Sequence, residues 1–212
     1  PYLFSNCESV KCRGLFPSQD TPSVKSTFDL TIYVPKPLTA LASAILISNS
    51  SDATTNIYSY RQSIPVPSYL FAIVVGHIEF RQMSPRVGVY SEPNMVDACA
   101  WELEGTEDFL FTAEKFYIPY LWGKYNLVVM PPSYPVGGME NPYLTFVSPT
   151  IITGDRSSVS TVAHEIGHSW SGNLMTNRNW TYFWLNEGLT VYTERKILGK
   201  VYGSNFEEVQ AY

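Results

Sequence analysis

Histidine and cysteine are scarce in this chain, three of each in 212 residues, and no stretch of eighteen apolar residues occurs. Without such a stretch no membrane-spanning helix is expected. Charged residues make up 16% of the chain and sum to −5, with no basic run, which argues against a nucleic-acid partner. No internal repeat or low-complexity segment interrupts the sequence. The opening residues hold no charged segment followed by an apolar one, so no secretory signal is read there. Cys7, Cys12 and Cys99 form an odd set, which fits reduced thiols of the cytoplasm (or nucleus) better than a disulfide framework. Asn49-Ser50-Ser51 and Asn179-Trp180-Thr181 match the glycosylation triplet, but such triplets are common by chance and neither is read as a glycan site.

Two of the three histidines fall in one short pattern, His164-Glu165-Ile166-Gly167-His168. The stretch Ser160 to Trp170 contains no proline and reads as a helix. Residues four apart on a helix share a face, so both imidazoles can aim at one point and grip a zinc ion. Glu165, next to the first of them, cannot share that direction; it is placed to hold a water and take its proton. A third protein ligand is required. Trp184 to Leu198 reads as a second helix, and Glu187, in Trp184-Leu185-Asn186-Glu187-Gly188, is the candidate near its start. Two histidines, one carboxylate and an open position make a catalytic zinc site, with one zinc per chain. The bland alternative is a helix with two surface or core histidines; the scarcity of histidine and the Asn-Glu-Gly helix start both weigh against it.

Residues 21 to 80 alternate apolar and polar positions in short bursts broken by proline and serine. Thr27–Val34, Ala40–Ile47, Asn56–Gln62 and the apolar run Tyr69–Val75 read as strands, which implies a β-sandwich or part of one. Val96–Phe116 reads as helix, and Leu127–Met130 and Leu144–Val147 as strands. The texture changes between Ile78 and Val89. The expected organisation is therefore residues 1–78 as part of an N-terminal β domain and 79–212 as a catalytic domain.

Gly137-Gly138-Met139-Glu140-Asn141-Pro142 precedes the histidine helix by some twenty residues. Together with HExxH-x18-E it resembles the gluzincin zinc aminopeptidases, nearest to the leukotriene-A(4) hydrolase branch and its fungal counterparts. The likeness extends over Tyr2–Ser5, Gln19–Lys25, Ile64–Pro67 and Asn141 through Arg195. It implies an α+β fold: the end of an N-terminal β-sandwich-like domain followed by a thermolysin-like zinc peptidase domain, incomplete at its C-terminal end. A transition-state-stabilising tyrosine and a helical C-terminal domain are then expected beyond Tyr212, and more of the β domain before Pro1. The resemblance also implies hydrolysis of the N-terminal residue from short peptides with a free N-terminus, and opening of a fatty-acid epoxide as a second chemistry. Under that reading Glu140 holds the substrate's α-ammonium through a charge-assisted hydrogen bond, and Gly137, Gly138 and Met139 lie along the substrate backbone. Lacking Cβ atoms, the two glycines let that backbone approach as an added strand. Glu8 is either a second amine anchor or an ordinary surface glutamate. Glu194, seven residues after Glu187, either orients a zinc-ligating imidazole or pairs with a neighbouring lysine. Val136 stands where the branch usually has an aromatic residue, which leaves the preferred first substrate residue open. Trp170, Trp180 and Trp184 are read as core packing, and His77 as a strand-end histidine. Competing readings are a thermolysin-type endopeptidase, which Glu140 would obstruct, and a non-catalytic peptide-binding module, which would not need Glu165.

Overall fold

The computed structural model describes residues 1–203 and 205; residues 204 and 206–212, the end of the expected catalytic domain, lie outside the described residues. In chain order the strands are β1 (Tyr2–Phe4), β2 (Lys25–Pro35), β3 (Thr39–Ala42), β4 (Ile45–Ser51), β5 (Thr55–Pro67), β6 (Ile73–Gly76), β7 (Glu79–Gln82), β8 (Val87–Ser91), β9 (Tyr125–Val129), β10 (Gly138–Met139) and β11 (Leu144–Val147). The α-helices are α1 (Val96–Glu102), α2 (Thr106–Phe116), α3 (Ser160–His168) and α4 (Phe183–Tyr202).

Residues 2–76 supply two three-stranded antiparallel sheets, ordered β1-β6-β3 and β2-β5-β4. The alternating bursts do form β2 and β5, but Ala40–Ile47 is two strands rather than one. The chain changes sheet at Ser43, whose amide donates to Ala72 O and whose Oγ accepts from the Ala72 amide, both at 2.9 Å. Between the two sheets Ala42, Ala44 and Tyr60 form a small core with Phe28 and Ile73. The apolar run Tyr69–Val75 is not one strand either. Ser68–Leu70 is a 3-10 turn and only Ile73–Gly76 joins a sheet. Tyr69 is buried there, and its hydroxyl donates to Gly172 O at 3.2 Å.

The third sheet has five strands in the order β10-β11-β9-β8-β7. β8, β9 and β11 run parallel in its centre, and β7 and β10 lie antiparallel at its edges. Central parallel strands are covered on both faces and so read as unbroken apolar runs; every residue of β11 is buried. The crossover from β8 to β9 carries two helices where the composition predicts one. Thr106 breaks the helix by bonding back to Leu103 O through both its amide and its hydroxyl. Glu102, at the end of α1, turns inward instead, and its carboxylate accepts from Thr153 Oγ1 and the amides of Gly154 and Arg156. One hydrophobic core runs from Leu41 and Val74 through the large sheet to Ile166 on α3 and Leu198 on α4. The strand-rich part is also tied to the segment after α3 by Lys25, whose Nζ donates to Asn173 O (3.0 Å) and Leu174 O (2.8 Å).

Candidate metal and substrate site

Helix α3 lies against β10, β11 and α4, burying Val162, Ala163 and Ile166. It comes close to α4 because Gly167 has no side chain: a Cβ there would lie 3.2 Å from Thr190 Cγ2 and 3.3 Å from Thr193 Cβ. This close approach brings Glu187 on α4 to the two histidines. The Nε2 atoms of His164 and His168 are 3.0 Å apart, and Glu187 sets Oε2 3.3 Å from the first and Oε1 3.7 Å from the second. Tetrahedral zinc with bonds of about 2.0–2.1 Å separates its ligands by about 3.3 Å, so the two imidazoles and the Glu187 carboxylate are grouped closely enough to hold it.

The outward nitrogens of both rings are already engaged. His164 Nδ1 donates to Glu194 Oε2 at 3.0 Å. His168 Nδ1 lies 2.9–3.0 Å from Asn186 Oδ1, Ser171 O and Thr190 Oγ1. When both rings are neutral with Nδ1 as the donor, both Nε2 lone pairs face the shared point, which is the tautomer a metal needs. Of the two readings for Glu194, the structure therefore favours the imidazole contact over a lysine pair. Charge follows the same geometry. Burial pulls the His164 pKa down, but hydrogen bonds to Glu187 and Glu194 outweigh it and raise it to about 10. His168 is held below its usual value by burial and by the neighbouring His164. Glu187 is lowered, chiefly by its bond to His164.

Glu165 lies against Gly138 of β10 and keeps a carboxylate oxygen within 4.8 Å of a His168 ring nitrogen. Its carboxyl occupies the space that a side chain at position 138 would take. A Cβ on Gly138 would collide with Glu165 Oε1 and lie 2.5 Å from its Cδ. Glycine at 138 thus makes room for Glu165, whereas a Cβ at Gly137 would meet nothing within 4 Å. Burial, then the Glu140 charge, pushes the Glu165 pKa well above the usual carboxylate range.

Glu140 follows β10 and is buried, and its backbone carbonyl is held by Asn173 Nδ2 at 2.8 Å. Its Oε1 has no hydrogen-bond partner among the described residues, although it lies 3.9 Å from His168 Nδ1. Burial, then repulsion from Glu187, raises its pKa to about 7. Glu8 faces the same cavity, and burial followed by the Glu140 charge brings it to about 7 as well. The cavity is about 330 Å³ and is lined by these carboxylates, both histidines, Gly137, Gly138 and the hydroxyls of Ser160 and Thr161. Met139 is buried in the core beside it. Glu140, Glu165 and His168 form a second cluster of metal-ligand type, but it shares His168 and so is not a separate site.

Asn186, Thr190 and Asn173 are functional neighbours that the sequence reading passed over. Asn186 and Thr190 are four apart on α4, so a shared face toward α3 was legible; Asn173 carried no such signal. The tryptophans divide: Trp170 is buried and Trp180 packs on Tyr69 and Phe183, but Trp184 is 66% exposed and is not core. His77 sits exposed at the bend after β6.

Residues 101–212 match the peptidase family M1 domain, and residues 1–70 match the peptidase M1 N-terminal domain. The chain is 50% identical to leukotriene A-4 hydrolase of Xenopus laevis and 48% identical to leucine aminopeptidase 2 of Aspergillus terreus. Each alignment takes in all of this chain but only 35% of the relative, so the chain spans about a third of the length of these curated proteins. The solved structure of yeast LTA4 hydrolase in complex with bestatin superposes with a TM-score of 0.92 at 46% identity, over 100% of this chain and 33% of that one.

Proposed function

The chain belongs to peptidase family M1, and from that premise we propose that the whole protein is a zinc aminopeptidase removing the N-terminal residue from short peptides. One observation carries the reading: Glu140 lines the cavity that the two histidines line, and one oxygen of its buried carboxylate has no hydrogen-bond partner among the described residues. A buried carboxylate without a partner is costly, and a substrate ammonium is the group that would satisfy it. His164, His168 and Glu187 would hold a zinc ion, which would supply the Lewis acidity that polarises a scissile carbonyl and lowers the pKa of water from about 15.7 toward roughly 7.

The remaining steps fall to the protein. Glu165 takes the proton of the attacking water and returns it to the leaving amine; its burial, which raises its proton affinity, suits that exchange. Strand β10 lies at the edge of its sheet, leaving its outer side free to pair with an extended peptide. Glu140, directly after it, then stops the peptide at its first residue. Glu8 faces the same ammonium as a second anchor. We place the boundary between the two domains at residues 78 and 79, where the five-stranded sheet begins. Opening of a fatty-acid epoxide is a second activity favoured by the 50% identity to leukotriene A-4 hydrolase. The polar residues lining this cavity suit a peptide amine better than a lipid tail.

The test uses full-length protein, with peptides bearing free and N-acetylated ends. A hydrogen bond to a charged group contributes about 1.5–3 kcal/mol, so Glu140→Gln is expected to lower kcat/KM for free-amine substrates roughly ten- to a hundredfold. Acetylated peptides should be poor substrates of the parent and lose little further. Equal cleavage of both by the parent enzyme would replace this reading with a thermolysin-type endopeptidase.

A further inference from the structure

The turn that bears Glu8 is bracketed by two cysteines. Between β1 and the 3-10 turn Cys12–Gly14, the Lys11 amide donates to Cys7 O at 2.9 Å and folds the segment back on itself. The fold-back sets Cys7 Sγ 2.6 Å from Cys12 Sγ. Both are free thiols and both are buried. A bonded pair is separated by about 2.03–2.05 Å, so joining them needs a movement of only about 0.6 Å. Cys99, the remaining cysteine, is buried on α1, far along the chain from either.

We propose that Cys7 and Cys12 form a reversible dithiol–disulfide pair that locks the turn carrying Glu8. The oxidant is a small-molecule disulfide. One protein thiolate attacks a sulfur of the oxidant and expels the first small thiol; the second cysteine then attacks the mixed disulfide and expels the other. Two protein S–H bonds and the oxidant's S–S bond are broken, and one protein S–S bond forms. Two electrons and two protons end on the released thiols.

Access does not require the core to open. Ser9, Val10 and Lys11 between the cysteines are exposed, as are Arg13 and Gly14 beyond them, so local opening of one surface turn uncovers both sulfurs. In the closed turn, the bond with Cys7 and then burial hold Cys12 in its protonated form, so exchange proceeds through the open one. Once joined, the cysteines enclose Glu8 in a ring from Cys7 to Cys12, which restricts where its carboxyl can lie in the cavity. That consequence for substrate binding rests on the aminopeptidase reading; the redox chemistry of the pair does not.

The experiment needs no substrate. Full-length protein is equilibrated with oxidised glutathione, or oxidised first and then treated with dithiothreitol, and unreacted thiols are alkylated under denaturing conditions. The expected result is one peptide pair joined through Cys7 and Cys12 that has lost two hydrogens, reached from both directions, with Cys99→Ser unchanged. Cys12→Ser should instead leave Cys7 capped by glutathione. Trypsin should cut after Lys11 about tenfold more slowly or less in the oxidised protein, because the lock suppresses opening. If Cys7 and Cys12 stay fully alkylatable in excess oxidised glutathione, or if oxidation leaves cleavage after Lys11 unchanged, the proposal fails. Failure of the aminopeptidase reading would appear separately, in the comparison of free and acetylated peptides.

Discussion

Strands β4 and β11 belong to the same chain and have opposite surroundings: all seven residues of β4 are exposed and all four of β11 are buried. β4 is the edge of a three-stranded sheet, while β11 sits between β10 and β9 with α3 packed on it. The candidate chemistry lies on the β11 side. Five carboxylates (Glu8, Glu140, Glu165, Glu187 and Glu194) line one cavity there, and burial raises the proton affinity of the first three. Such charge can be held in place only by a rigid frame, because burying it works against folding. An exposed sheet tolerates change; a frame holding unsatisfied charge does not.

The largest effect expected from that contrast is on stability. Phe146 on β11 is 1% exposed and meets Tyr134 edge-on with ring centroids 5.9 Å apart. Phe146→Ala is expected to cost about 3–5 kcal/mol, read from the urea midpoint of full-length protein. A cost below about 1 kcal/mol, within the range of ordinary surface changes, would mean that the frame is not rigid.

Gly138→Ala tests the same frame through chemistry. The added Cβ collides with the Glu165 carboxyl while leaving His164, His168 and Glu187 untouched. Turnover should fall roughly a hundredfold or more, the contribution of a positioned acid–base group, with metal content at the parent's level. Unchanged turnover would remove Glu165 from proton transfer or show that β10 yields.

This comparison also separates what was legible in the sequence from what was not. The histidine pair was readable because helix periodicity alone brings residues four apart to one face, and Glu165 and Glu187 were readable from their places in the HExxH and Asn-Glu-Gly patterns beside it. β2 and β5 were readable because one solvated face imposes alternation. Tyr69–Val75 was misread because a continuous apolar run marks burial without saying which backbone is buried. The break after α1 was missed because the composition of Val96–Phe116 favours helix throughout, and it shows neither the bonds from Thr106 back to Leu103 O nor those that Glu102 accepts from Thr153, Gly154 and Arg156. Gly138 was noticed without its neighbour Glu165: local sequence shows that a Cβ is absent, but only the tertiary fold shows which side chain lies in that space.

Glu194 gives a smaller and more specific effect. Its Oε2 accepts from His164 Nδ1 and fixes the tautomer of that ring. Glu194→Gln keeps the shape and weakens the contact, and loss of such a partner lowers metal affinity about 10- to 100-fold. Competition with a chelator of known affinity measures it directly. Zinc affinity equal to the parent's would return Glu194 to the role of a helix-surface carboxylate.

The smallest effect is predicted at Ile47, where the pairing of β4 with β5 shifts register and the side chain is 56% exposed. A bulged, solvated edge position offers little apolar contact to lose and no ladder that depends on it. Ile47→Ser removes a β-branched apolar side chain, yet its cost should stay within about 0.5 kcal/mol, as for surface positions free of caps, charges or special backbone. The same urea titration used for Phe146→Ala measures it, so the two values are compared under one condition. A loss above about 2 kcal/mol would be a burial-sized penalty, and would mean that β4 is covered in the full-length protein and that the contrast with β11 belongs to this chain alone.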